Sequence, residues 1–349
     1  MNTQVINMQG NIDEAGLKLA AKLLRAGGTV AFPTETVYGL GANALDKNAV
    51  QKIFAAKGRP SDNPLIVHVS SIKEVDKLVT HIPPVARTLM AHFWPGALTL
   101  ILPRSGIVPD ETTAGLDTVA IRLPNHPIAQ ALIALAGVPI AAPSANRSGK
   151  PSPTEAAHVI DDLMGRVDAI IDGGSAAVGL ESTVLDCTQT PPMVLRPGGV
   201  TVEQLRAVVG DIAMDEALHG TLQNDQKPRS PGMKYTHYAP KAPVIVVEGN
   251  AENVIQYINQ QLMIAKKENK KAGVMALKAH ENAFCNAEVL TVGDEAQLHT
   301  VAHNLFMVLR KFDQLAVEVI YAQSVPNTGI GRAILNRLHK AAGYSIVKV

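Results

Sequence analysis

DKNAVQKIFAAKGRPSDNPLIVHV, residues 46–69, reads as a helix followed at once by a strand. Asp46 can accept hydrogen bonds from the first free amides of a helix, and Val50, Ile53 and Phe54 recur at helical spacing as its buried stripe. Gly58 supplies a left-handed stop. The period then changes to strict alternation. In PLIVHV, Leu65, Val67 and Val69 share one face, Ile66 and His68 the other. A helix feeding a short strand is the repeating unit of an α/β domain.

The same rhythm extends in both directions. GTVAF (28–32), LTLIL (98–102), TVAIRL (118–123), VPIAAP (138–143), AIIDGG (169–174) and STVLDC (182–187) read as further strands, with helical stretches at 11–26, 84–93 and 153–164. Residues 1–210 are therefore expected to form an α/β domain on a twisted mixed sheet. From 211 to 242 the apolar period is lost, and the segment reads as a linker. Unstructured loops beyond about 12–15 residues are usually functional or disordered, and SPGMKYTHYAP (230–240), with two tyrosines, a histidine and a lysine, favours function. PVIVVEG (243–249) opens a second alternation of strands and helices that runs to YSIVKV (344–349). Residues 243–349 are expected to form a smaller, Rossmann-like doubly wound domain.

Composition narrows the function classes. The 349 residues are 46% hydrophobic and 18% charged, as in ordinary globular proteins. Lys plus Arg number 32 against 31 Asp plus Glu, so no bulk basicity points to a nucleic-acid or membrane surface, and any anion site must be local. The N-terminus lacks a basic start followed by an apolar run, and a cytoplasmic location is expected. Cys187 and Cys285, in apolar and strand-like surroundings, are expected to be reduced core thiols.

Short cofactor motifs are near misses. GLGANA (39–44) has dinucleotide-loop spacing but follows a segment that Pro33 interrupts. GGSAAVGLES (173–182) has Leu180 where a phosphate-loop lysine belongs. His299 and His303 stand four apart with no further ligand at metal spacing, as on a solvated helix face.

Other segments put polar groups where strands end. FPTETVYGLG (32–41) crowds Thr34, Glu35, Thr36 and Tyr38 just past a strand, although such clusters are often plain turns. Lys57 and Arg59 sit at a helix exit, where cations also serve merely to offset the dipole. The adjoining Ser61, Asp62 and Asn63 incline the pair toward polyphosphate contacts. A lone strand histidine such as His68 is more often structural than catalytic. Arg122 interrupts an apolar strand, so it must be paired or face a cleft, and its planar fork suits a carboxylate or phosphate. APSANRSG (142–149), GLESTVLD (179–186) and LRPGGV (195–200) add Ser144, Ser182 and Arg196 at strand ends, where open-sheet ligand sites form.

FPTETVYGLG, the Lys57-x-Arg59 pair, the PLIVHV histidine, APSAN, GLESTVLD, LRPGG and SPGMKYTHYAP together resemble the threonylcarbamoyl-AMP synthases, YrdC-like proteins, in their two-domain form. The motifs span residues 32–240, and the remaining residues are similar only in length and α/β rhythm. The resemblance implies adenylyl transfer: L-threonine, bicarbonate and ATP give threonylcarbamoyl-AMP and pyrophosphate, the first step toward threonylcarbamoyladenosine in tRNA. It implies that Thr36, His68, Arg122, Ala142 and Ser182 line the threonine pocket. Arg59, Asn63, Thr118, Ser144, Ser152, Arg196 and Tyr235 would hold ATP, with Lys57 and Arg59 as the catalytic cations and the 211–242 segment as a lid. Mg²⁺ would arrive with ATP and take no protein side chain. Downstream tRNA threonylcarbamoyl-transferase proteins would receive the product, with weak tRNA binding and no membrane contact.

Three other classes compete less well. Balanced charge opposes a non-catalytic RNA-binding module. The carbamoyl-transferring hydrogenase-maturation protein that shares this domain carries paired CxxC zinc motifs, which two distant cysteines cannot supply. A nicotinamide oxidoreductase rests only on GLGANA.

Overall fold

The structure is a computed structural model that describes residues 2–219 and 237–349. The chain divides into two compact units, Met1–Ser148 with Ser152–Lys234, and Gly149–Pro151 with Tyr235–Val349.

The first unit runs β1 (Gln4–Asn7), α1 (Glu14–Arg25), β2 (Val30–Phe32), β3 (Gly39–Asn43), α2 (Lys47–Lys57), β4 (Ile66–His68), α3 (Val75–Leu78), α4 (Pro84–Phe93) and β5 (Leu98–Pro103). It continues through α5 (Asp110–Thr113), β6 (Thr118–Arg122), α6 (Pro127–Ala136), β7 (Ile140–Ala141), α7 (Ala156–Leu163), β8 (Ala169–Asp172), β9 (Thr183–Asp186), β10 (Met193–Arg196), α8 (Val202–Val209) and β11 (Ala213–Met214). The eleven strands form one mixed sheet in the order β1-β8-β2-β3-β7-β4-β6-β5-β9-β10-β11. The opening stretch folds as its residues dictate. The Asp46 side chain accepts from the Asn48 and Ala49 amides, and Gly58 ends α2 at φ 61°.

Alternation along the strands assigns two faces. Val67, Val119, Ile121, Ala141 and Leu185 point to the larger core, packed under α2, α3, α4, α7 and α8. The opposite face is covered over β1, β8 and β2 by Leu17, Ala20 and Leu24 of α1 and Ile128, Leu132 and Ile133 of α6. Farther along that face, Ile66, Ile101, Ala120, Val184 and Leu195 form a cluster drawn from strands alone among the described residues. The candidate site lies on this side of the sheet, at the ends of these strands.

Two elements depart from expectation. GLGAN is a strand, β3, antiparallel to β2. A Cβ at Gly41 would lie 2.7 Å from both Phe32 and Ile140, so glycine is what lets these strands and side chains pack. The segment read as linker from 211 begins as sheet, because Ala213 and Met214 pair in parallel with β10.

The second unit comprises β12 (Val244–Glu248), α9 (Ala251–Lys267), β13 (Ala272–Leu277), β14 (Glu288–Gly293), α10 (Leu298–Leu315), β15 (Val319–Gln323), α11 (Gly331–Ala341) and β16 (Ile346–Lys348). Its all-parallel sheet has the order β14-β13-β15-β12-β16, with α9, α10 and α11 as crossovers and a loop without an α-helix between β13 and β14, close to the doubly wound pattern. Cys187 is buried, its thiol pushed up to about 12 by burial, but Cys285 is exposed. Phe284, beside it in the turn before β14, takes the inward position, which corrects the expectation of two core thiols. Among the described residues no helix is long and apolar enough to cross a membrane.

Candidate active site

The loop after β2, residues 33–38, organises the site. The Thr34 hydroxyl donates to the Val37 carbonyl at 2.6 Å and lies 2.8 Å from the hydroxyl of the fully buried Thr36. Backbone bonds join this loop to three other motifs. The Tyr38 amide donates to Pro153 (2.9 Å), Ala145 donates to the Tyr38 carbonyl (2.8 Å), and Val178 and Gly179 donate to the carbonyls of Glu35 and Thr36 (2.7 and 3.1 Å). PTET, APSAN, the 152–154 segment and GLES are thereby one locality.

Arg122 closes β6 on the same face as Ala120 and is 4% exposed. Its Nη2 lies 2.8 Å from Glu35 Oε2, close as an ion pair but outside hydrogen-bond alignment, and its Nε donates to the Gly96 carbonyl at 3.2 Å. The charge in an apolar strand is therefore paired and still has an N–H direction to offer a ligand. His68, level with Arg122 in the parallel β4–β6 register, is buried edge-on against Phe32. Burial, and then the Arg122 cation, hold its imidazole down to about 3, so it is neutral near pH 7.

This carries a stability prediction. Below the ordinary value of 6.5 the unfolded chain binds a proton at His68 that the folded chain does not. Stability should fall as pH drops from 6.5 toward 3, by about 1.4 kcal/mol per pH unit from this group. Urea unfolding across that range should show a shallower slope for His68→Gln; an equal slope would remove His68 as its source.

Ser182 and Arg196 make the next corner. Arg196, 5% exposed, donates through Nη2 and Nε to the Ser182 carbonyl at 3.0 and 3.2 Å, and the Ser182 hydroxyl lies 2.7 Å from that of Thr99. The Thr183 amide donates to Ala97, whose neighbour Gly96 accepts from Arg122, so the two guanidinium groups flank one turn. LRPGG fits closely here: a Cβ on Gly198 would lie 2.3 Å from the Ser182 carbonyl carbon.

Lys57, 3% exposed, points back from the end of α2 into the SAN loop. Its Nζ donates to the carbonyls of Ser144 and, at 2.6 Å, Asn146, while the Ser144 hydroxyl donates to Asn146 Oδ1 at 2.5 Å. This goes beyond the dipole offset expected of a helix-end cation. Arg59 follows, half-buried, its amide bonded to Phe54. Asn63 is fully buried, yet its amide oxygen and nitrogen both lack a partner, a costly state that a bound ligand would relieve. Continuing the β4–β6 register two residues back places Pro64 level with Thr118. Thr118 thus lies at the opposite end of β6 from Arg122, about 13 Å along the strand. Ser152, fully buried, donates to Glu181 at 2.5 Å, and the Ala142 amide donates to Ile66. Tyr235 lies outside the described residues.

His68 and Arg122 stand level at one end of β4 and β6, the end to which β5 and β9 bring Ser182 and Arg196, while Asn63, Thr118, Ser144, Lys57 and Arg59 gather toward the other. Ala142 lies between the two against Ile66, and Thr36 sits in a loop that starts and ends on the Ser144 side, from which Glu35 reaches Arg122. Sequence reasoning left out Glu35, Glu181 and His126 as site residues. Glu35 and Glu181 stand inside quoted motifs and His126 three residues past TVAIRL, but nothing in the spacing shows which charges meet.

The family described as Telomere recombination, Sua5/YciO/YrdC, matches residues 22–198, and the Threonylcarbamoyl-AMP synthase, C-terminal domain, matches 200–343. The threonylcarbamoyl-AMP synthase of Pyrococcus abyssi is 50% identical over 347 residues, 99% of this chain and 100% of that protein. The chain belongs to the threonylcarbamoyl-AMP synthase family. The Bacillus subtilis member of this family is 52% identical over 330 residues, 94% of this chain and 93% of its own. A crystal structure of P. abyssi Sua5 complexed with L-threonine superposes with a TM-score of 0.94 at 50% identity, covering 99% and 100% of the two chains. Escherichia coli YciO shares the fold at 28% identity and TM-score 0.52, over 59% of this chain and 100% of its own.

Proposed function

We propose that this chain makes threonylcarbamoyl-AMP by transferring the adenylyl group of ATP to N-carboxylated L-threonine, releasing pyrophosphate, in service of threonylcarbamoyladenosine formation on tRNA. The observation that carries this reading is the buried Arg122, level with His68 and paired with Glu35 from the loop that carries Thr36. A threonine carboxylate suits the Arg122 fork, and the nearby hydroxyls suit a hydroxylated side chain. Its L-threonine-bound P. abyssi relative supports the choice of amino acid.

ATP would lie toward Asn63, Thr118, Ser144 and Ser152, with Arg59 and Arg196 drawing charge from the phosphates. Adenylyl transfer puts developing charge on phosphoryl oxygens, so positioning and cations do most of the catalysis. Lys57 holds the SAN loop that presents Ser144. Among the described residues no group of three His, Cys, Asp or Glu side chains is placed to hold a metal. A magnesium ion coordinated by triphosphate oxygens and water fits that donor set and would supply charge neutralisation at the phosphates. The carbamate and the mixed anhydride are both water-labile, so the site must be covered during turnover. The product would pass to tRNA threonylcarbamoyl-transferase proteins in the cytoplasm.

The test is pyrophosphate release from ATP. It should require L-threonine and bicarbonate together; release that ignores either substrate would refute the proposed reaction.

A further inference from the structure

Carboxylation of threonine liberates a proton. R–NH3⁺ plus HCO3⁻ gives R–NH–COO⁻, H2O and H⁺, so the site needs a group to take that proton from the ammonium before nitrogen can attack. Arg122 is unsuited, being always charged. His68 is neutral, but its Nδ1 faces the Ile66 carbonyl (3.2 Å) and it stands beside a cation that opposes protonation.

Resting on the reaction proposed above, we propose that His126, backed by the Glu35 carboxylate, is the proton acceptor for the threonine amine. His126 is the N-cap residue of α6, four positions beyond Arg122. Its Nδ1 is buried and has no hydrogen-bond partner. Glu35, 9% exposed, has a buried Oε1 that likewise has none, while its Oε2 lies 2.8 Å from Arg122. Two unpartnered buried polar atoms, one of them on the carboxylate paired with Arg122 and the other on a histidine that this carboxylate influences, are costly unless a ligand satisfies them. A zwitterion does so: its carboxylate faces Arg122 and its ammonium faces Glu35 and His126.

The charges around His126 support the direction of transfer. Burial lowers its affinity for a proton, and the Glu35 carboxylate raises it. The imidazole is thus neutral in the resting site yet has an anion beside it to stabilise the imidazolium. Arg122 acts from β6 through Glu35, and His68 on β4 carries no charge.

The balanced step is as follows. One ammonium N–H bond breaks and its proton passes to His126 Nδ1. The freed nitrogen lone pair forms the C–N bond to bicarbonate carbon, and the departing hydroxide takes a second nitrogen proton to leave as water. The carbamate oxygen then attacks the α-phosphorus, and His126 returns its proton to solvent when the products leave.

The experiment measures kcat against pH for the full chain, as wild type, His126→Gln and Glu35→Gln, with ATP, threonine and bicarbonate saturating. Dividing each variant's profile by that of the wild type cancels bicarbonate's own ionisation. The wild type should lose activity as His126 protonates below its ordinary value of 6.5. His126→Gln should lose about 100-fold in kcat, with a smaller change in threonine KM, and should lack that acid limb. Glu35→Gln should move the limb to lower pH. A wild type with no such limb, or a His126→Gln variant that keeps it or loses activity only through threonine KM, overturns the assignment. A wild type without threonine- and bicarbonate-dependent pyrophosphate release would refute the reaction itself, which is a different result.

Discussion

Arg122→Ala should abolish the threonine dependence of pyrophosphate release and lower kcat/KM for threonine by roughly 100- to 1000-fold, because truncating one partner of a buried charge contact costs about 2–5 kcal/mol. Stability should fall as well. Glu35 is paired with Arg122 at 2.8 Å where both side chains are nearly inaccessible, and stranding a buried carboxylate costs about 3–5 kcal/mol. The two effects separate in the double variant Glu35→Gln, Arg122→Ala. It should recover most of the lost stability, since no charge is left unpaired, and should remain unresponsive to threonine. Removing the cation also lifts one of the two influences that hold His68 neutral, so the His68 imidazole should titrate higher in Arg122→Ala. An unchanged apparent threonine affinity in the single variant would remove Arg122 from its assigned place.

What could be read from the sequence tracks what is decided locally. The α2 caps, its apolar stripe and the two faces of β4 follow from residues a few positions apart, and the structure reproduces them. Arg122 announced itself because a charge cannot sit alone in an apolar strand, but its partner Glu35 comes from a distant loop, and only the sheet order β2-β3-β7-β4-β6 brings the two together. β3 was missed for the opposite reason. Glycines weaken a strand pattern, and here they are imposed by packing against Phe32 and Ile140, which local propensity does not register. His126 follows the TVAIRL strand by three residues, yet its relevance depends on burial of one ring nitrogen, a tertiary property.

Lys57→Met should show whether the lysine at the end of α2 works by holding the SAN loop. Its buried ammonium bonds the carbonyls of Ser144 and Asn146, and hydrogen bonds to a charged group are worth about 1.5–3 kcal/mol each. Methionine fills similar volume but leaves both carbonyl oxygens without that donor, so a loss of about 3 kcal/mol is expected, or about 6–12 °C in Tm for a unit of this size. The catalytic consequence follows from what the loop carries. Ser144 also donates to Asn146, and Ala145 ties the loop to Tyr38 at 2.8 Å, so loosening it displaces a hydroxyl assigned to ATP together with the anchor of the PTET loop. ATP KM should rise with the fall in Tm, and Lys57→Arg should restore part of both, since a guanidinium can still donate to two carbonyls. A purely electrostatic role at the phosphates makes a different prediction: kcat falls in Lys57→Met while Tm stays at the wild-type value. Calorimetry and steady-state kinetics on the same preparations decide between them, and an unchanged Tm would mean that the carbonyl contacts do not hold the loop.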